Sequence, residues 1–190
     1  MSSYLFPILI LLGLVLIVVF VGISSYNTLI SLKNKVQESA SDIDVQLKRR
    51  YDLIPNLVET VKGSSNFESS TLENVVKARQ QAIDISGLTK EKAEAENMLS
   101  GTLRQLFALS ENYPTLRSSE NFLALQNELT NTEDRILASR RFYNQTVSDY
   151  NTTQDQFPSL FFKSMAGASK AEFFELENPT EERKNPTVKF

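Results

Sequence analysis

The chain has 190 residues and a formal net charge of −3, its 20 basic and 23 acidic side chains interspersed, so it has no basic field to hold nucleic acid and none is expected as a partner. The absence of Cys excludes disulfides, thiolate metal sites and lipid attachment through cysteine, and the absence of His removes the usual neutral-pH acid–base group and the commonest metal ligand. Chemistry would fall to carboxylates, Lys, Tyr or Ser, and no cofactor, metal or catalytic residue is expected.

Tyr4 to Ile23 contains no charge, and at about 1.5 Å rise per residue it spans the hydrocarbon layer of a bilayer. A cleaved signal peptide needs a basic start, a shorter apolar run and a small-residue cleavage site. None is present, so residues 1–23 read as a retained transmembrane anchor. No Lys or Arg precedes the span, whereas Lys33, Lys35, Lys48, Arg49 and Arg50 follow it. By the positive-inside rule the bulk of the chain is expected in the cytoplasm.

From Ser24 the pattern continues as one helix. Tyr26, Leu29, Lys33, Val36, Ala40, Ile43, Leu47, Arg50, Ile54, Leu57 and Val61 recur at alternating spacings of three and four, which marks a packing seam. Pro55 removes one backbone hydrogen bond and is expected to bend this helix near Tyr51, while Gly63 ends it. Ser65 to Glu68 has capping-box spacing and opens a second helix with Leu72, Val75, Val76, Ala78, Ala82 and Ile83 inward. Thr89 caps a third, which buries Met98, Leu99, Leu103, Leu106, Phe107 and Leu109 and stops at Tyr113-Pro114. Ser118 or Ser119 caps a fourth, with Phe122, Leu125, Leu129, Ile136, Tyr143, Val147 and Tyr150 inward and an end near Phe157-Pro158. Residues 158–190 hold an aromatic-rich segment and a tail interrupted by Pro179 and Pro186, with Phe173, Phe174 and Phe190 as candidates to dock.

The fold expected is therefore all-α: an N-terminal transmembrane helix continuing into an antiparallel four-helix bundle over residues 24–157, with helices 1 and 4 long. These two run to about forty residues and the middle pair to about twenty, so the long helices outreach their neighbours by about 30 Å. The overhang, Ser25 to Ile43 with Ala138 to Phe157, would leave Tyr26, Leu29, Val36, Tyr143, Val147 and Tyr150 uncovered, an apolar surface of the kind that marks an interaction site. Side-by-side self-association is expected there, making a homo-oligomer. Phe157, Phe161 and Phe162 would arrive at the bilayer surface, either among the headgroups or folded back on the helices as a lid.

Arg50 occupies the seam itself, and a buried guanidinium demands a partner. Glu133 or Asp134 on the fourth helix is available, which suggests a register-setting polar layer. Asp44 with Lys48 and Arg49 with Asp52 read as surface pairs. Glu91, Glu94 and Glu96, or Asp42 and Asp44, have carboxylate spacing, but no glycine-bearing calcium loop surrounds them.

The block from Ile43 through Gly63 resembles the diagnostic core of the LemA family of membrane-anchored bacterial proteins. Tyr26-Asn27, Leu29, Tyr113-Pro114, Phe122, Leu125-Gln126, Glu133, Arg140, Tyr143-Asn144, Tyr150-Asn151 and Phe157-Pro158 extend the similarity over most of the chain. This chain departs in lacking an aromatic between Gln37 and Asp42 and in reading Phe161-Phe162-Lys163-Ser164-Met165 where an aromatic-glycine stretch is expected. The resemblance implies an antiparallel helical bundle on one anchor in the bacterial inner membrane and no particular reaction; a relative among magnetosome-associated proteins implies membrane organisation. The functional expectation is a non-enzymatic scaffold that self-associates through helices 1 and 4, with the lipid bilayer and other membrane proteins as partners. The alternatives are a monomeric adaptor for a membrane protease or signalling protein, and a carboxylate-dependent enzyme.

Overall fold

The computed structural model describes residues 2–63 and 67–174, with side chains from residue 6 onward. The described residues are all-helical, without a strand: α1 (Ser2–Lys62), α2 (Ser69–Asp84), α3 (Lys90–Ser110), the short α4 (Pro114–Arg117) and α5 (Glu120–Asp155), followed by a 3-10 turn at Ser159–Phe161. The chain divides into two compact units, one of residues 1–39 and 143–171, the other of residues 40–142 and 172–190.

The helix ends follow local chemistry. The Thr89 hydroxyl accepts from the backbone N–H of Lys92 at 3.2 Å and starts α3, and Ser119 Oγ accepts from that of Phe122 at 3.4 Å and starts α5. Pro114 lies at the first position of α4, where its missing N–H costs nothing. Glu68 holds the cap position of α2; the expected cap, Ser65, lies outside the described residues. Pro55 does not end α1. The carbonyl of Tyr51, which the proline cannot serve, instead accepts from Arg79 Nε at 2.8 Å.

In the unit of residues 40–142 and 172–190, Ile54, Leu57, Val58 and Val61 of α1 pack with Leu72, Val75, Ala78 and Ala82 of α2. Leu99, Leu103 and Leu106 of α3, Leu116 of α4, and Phe122 and Leu129 of α5 complete this core. Val76, Ile83 and Met98, expected inside, are exposed. Each sits one position off its helix's buried stripe, and the stripes are narrow because the core already has neighbours on several sides. Phe174 is fully buried against the Arg140 guanidinium, 4.6 Å from ring centre to charge, while Phe173 is exposed and Phe190 lies outside the described residues.

In the unit of residues 1–39 and 143–171, Leu29, Tyr143, Val147 and Tyr150 are buried, and Tyr26 and Val36 are half-buried. Here the expected bare overhang is corrected. After α5 the chain turns back along both helices and supplies the neighbour they lacked. Phe162 lies on Gly22, Lys33 Nζ donates to the Gly167 carbonyl at 3.2 Å, and Asn151 exchanges two 2.9 Å hydrogen bonds with the backbone of Ala171. Gly167 makes the return with φ +57°, a left-handed conformation that a side chain disfavours. The driving force is ordinary: fully buried apolar side chains such as Leu29 and Val147 each gain about 1.5–3 kcal/mol by leaving water.

The N-terminal part of α1 is long and apolar enough to cross a membrane. From Phe6 to Ile23 its side chains are exposed, and of the two glycines only Gly22 is buried.

Candidate functional site

Two places concentrate functional groups. The first is a charge layer inside the helical core. Arg50 from α1 is 1% exposed, and its guanidinium reaches Glu96 of α3, Glu133 Oε2 of α5 at 2.6 Å and Ser100 Oγ at 2.8 Å. The Ser100 hydroxyl in turn donates to Glu133 Oε1 at 2.8 Å. On the other side of Glu96, the Tyr51 hydroxyl donates to its carboxylate, Lys92 Nζ pairs with it at 3.3 Å, and Lys92 also donates to the Ala82 carbonyl at 2.6 Å.

Helix register brings these groups together. Arg50 occupies the α1 seam between Leu47 and Ile54, and Lys92, Glu96, Leu99, Leu103 and Leu106 continue the same alternation of four and three on α3. Burial and the Glu96 hydrogen bond push the Tyr51 phenol far above its ordinary value, so it remains a donor. Burial pulls the Arg140 guanidinium down from its ordinary value; the Glu133 charge opposes this and Arg50 adds to it.

Of the polar layer expected from sequence, Arg50 and Glu133 meet, whereas Asp134, one residue on, faces solvent and takes no part. Glu96, Lys92 and Tyr51 were missed. The signal was present: extending the Leu99, Leu103, Leu106 spacing backward places Glu96 and Lys92 in the seam, as Arg50 is in its own. Apart from the buried Arg50 Nε, which has no hydrogen-bond partner, the donors and acceptors of the layer are turned on one another, which suits holding helices together. Among the described residues no group of three or more carboxylates is arranged to hold a metal. Lys48 pairs with Asp52 at 2.6 Å on the surface, and Arg49 with Glu128 rather than Asp52.

The second place is the aromatic segment after α5. A Cβ on Gly22 would stand 3.0 Å from the tip of the Phe162 ring, so a side chain there would push the ring outward by a few tenths of an ångström. The three aromatics part company here. Phe162 is the lid, while Phe157 and Phe161 are 80% and 69% exposed and stack edge-to-face on each other at 5.9 Å. Asp155 binds Lys170 at 3.2 Å and Lys163 at 3.3 Å, and these hydrogen bonds hold its carboxyl below the usual range.

The six residues expected to join copies of the chain, Tyr26, Leu29, Val36, Tyr143, Val147 and Tyr150, form no exposed seam; four are interior and two half-covered.

Residues 39–190 match the model of the LemA family. Among similar proteins, Magnetosome protein MamQ 2 of Paramagnetospirillum magneticum is 25% identical over 176 residues, covering 79% of this chain and 64% of that protein. Magnetosome protein MamQ of Magnetospirillum gryphiswaldense is 22% identical over 78% of this chain and 64% of its own length. Protein LemA of Metamycoplasma hominis is 27% identical over 133 residues, 70% of this chain and 61% of that protein. The chain thus spans less than two thirds of the length of these relatives.

Proposed function

The chain belongs to the LemA family, and from that premise we propose that it is a non-enzymatic, membrane-anchored organiser that holds a helical unit at the bacterial inner membrane for other membrane proteins. The observation that carries this reading is α1 itself. One helix, Ser2–Lys62, contains both an apolar span and the Ile43 to Val61 seam that helps build the helical core. The magnetosome proteins among the relatives support an organising role. The engagement of Glu96 and Glu133 with Arg50 weighs against a carboxylate-dependent enzyme.

The role has two forms: a scaffold self-associating through α1 and α5, and a monomeric adaptor for a membrane protease or signalling protein. Burial of Leu29, Tyr143, Val147 and Tyr150 inside the chain supports the second. Sizing the full chain in mild detergent decides between them: a monomer supports the adaptor, a stable oligomer the scaffold. Retention in the membrane fraction after alkaline extraction tests the anchor. The basic residues after the span support a cytoplasmic bulk. Since the chain has no Cys, Ser70→Cys on exposed α2 reads orientation: labelling by an impermeant maleimide only after lysis is expected, and labelling of intact spheroplasts overturns it.

A further inference from the structure

Phe162 and Gly22 together fix a height. Gly22 lies in the last turn of the apolar run that begins at Tyr4, and the Phe162 ring covers it in van der Waals contact. The segment carrying Phe162 therefore lies beside the end of the span, at the boundary between hydrocarbon and headgroups. On that segment Phe157, Leu160, Phe161 and Met165 are 80%, 45%, 69% and 65% exposed, four large apolar side chains within nine residues. A mostly apolar groove lined by Val18, Val19, Ile23, Tyr26, Phe162 and Met165 connects Met165 of this patch to the surface of the span.

We propose that Phe157, Leu160, Phe161 and Met165 form a second membrane anchor, a foot inserted among the lipid headgroups beside α1, whose occupant is the bilayer itself. The inference rests on the anchored reading above. Continuity with the span argues for lipid over protein, because a surface joined to a hydrocarbon-embedded helix at that height meets lipid first. Insertion is driven mainly by apolar area, and Asp155 offsets part of the charge of the neighbouring Lys163 and Lys170. Asn151 ties the segment to α5 through Ala171, so the foot and the span belong to one compact unit. The foot would fix how deep α1 sits and resist its tilting.

The chain has no Trp, so single substitutions report one position each. Phe157→Trp and Phe161→Trp are placed in the full chain, with Val76→Trp, at a site 46% exposed on α2, as reference. Each is reconstituted in phosphatidylcholine vesicles containing lipid brominated near the headgroup end of the acyl chain. The expected result is blue-shifted emission at 157 and 161, quenched severalfold more by the brominated lipid than at 76, with aqueous acrylamide acting in the reverse order. Acrylamide quenching at 161 equal to that at 76, without lipid quenching, overturns the proposal. So does shielding at 161 from both quenchers, which would mean that protein covers the patch. If the F161W chain stays membrane-bound while its indole meets water, this inference alone fails, whereas release by alkaline extraction fails the anchored reading.

Discussion

Both units bury polar side chains, and they do so by opposite means. In the unit of residues 1–39 and 143–171 the buried polar residues are neutral: Ser25, Ser39, Thr146, Gln154 and Ser159. Ser25 and Ser39 donate to carbonyls of their own helix, Val21 at 2.7 Å and Val36 at 2.9 Å, and so need no other element. In the unit of residues 40–142 and 172–190 they include Arg50, Lys92, Glu96 and Arg140. A buried charge demands a partner, and Arg50 draws its carboxylates from α3 and α5. The difference teaches how each unit ties its elements together. Ion pairs join helices in one, and side-chain bonds to backbone such as those of Asn151 with Ala171 do so in the other.

The comparison is broken most severely at Glu96. Glu96→Leu strands Arg50 and Lys92 without their shared carboxylate, and a loss of about 3–5 kcal/mol is expected in denaturant unfolding of the full chain. The combination Arg50→Met, Glu96→Leu and Lys92→Met should recover most of that loss, since an apolar layer of similar volume replaces an ionic one at little net cost. If the triple variant is no more stable than the single one, the layer does more than set register.

Leu29→Ala should cost about 2–5 kcal/mol, because Leu29 is interior to its own chain. The loss should not vary with protein concentration; dependence on concentration would restore Leu29 to an interface between copies. Asn151→Ala removes both bonds to Ala171 and should cost about 1–3 kcal/mol, with protease cleavage appearing in the 159–171 segment before global unfolding.

The units should also fail at opposite ends of the pH scale. Tyr51, raised from its ordinary 10.0, contributes stability in full below that pH and loses it as pH climbs above, because the unfolded phenol ionises first. Asp155, lowered from its ordinary 3.8, contributes above that pH and loses its contribution as pH falls through its depressed value. Tyr51→Phe should flatten the alkaline limb of a pH titration followed by circular dichroism, and Asp155→Asn the acid limb. The smallest effect is expected at Lys48→Ala, which breaks an exposed pair and should change stability by no more than a few tenths of a kcal/mol.

Most of the helical pattern was legible because it is periodic. None of the eleven seam positions from Tyr26 to Val61 is exposed, and Thr89 and Ser119 start the helices that their chemistry suggested. Arg50 announced a buried layer because it interrupts that periodicity, and Glu133 was found within reach of it. Asp134 was not, since one residue along a helix rotates a side chain by about 100° and only the structure shows which neighbour faces in.

By itself, then, the sequence determined the elements, the apolar span, the seams and the presence of a buried cation, all of which are written in spacing along a single helix. The tertiary structure decided what fills the other side of each seam. Residues 157–171 have no period to announce that they return along α1 and α5, and Gly22 shows its purpose only once the Phe162 ring lies on it. A helix face records that it must be covered, but the α1 face at Gly22 and Lys33 is covered by residues more than a hundred positions away, through contacts no local pattern encodes.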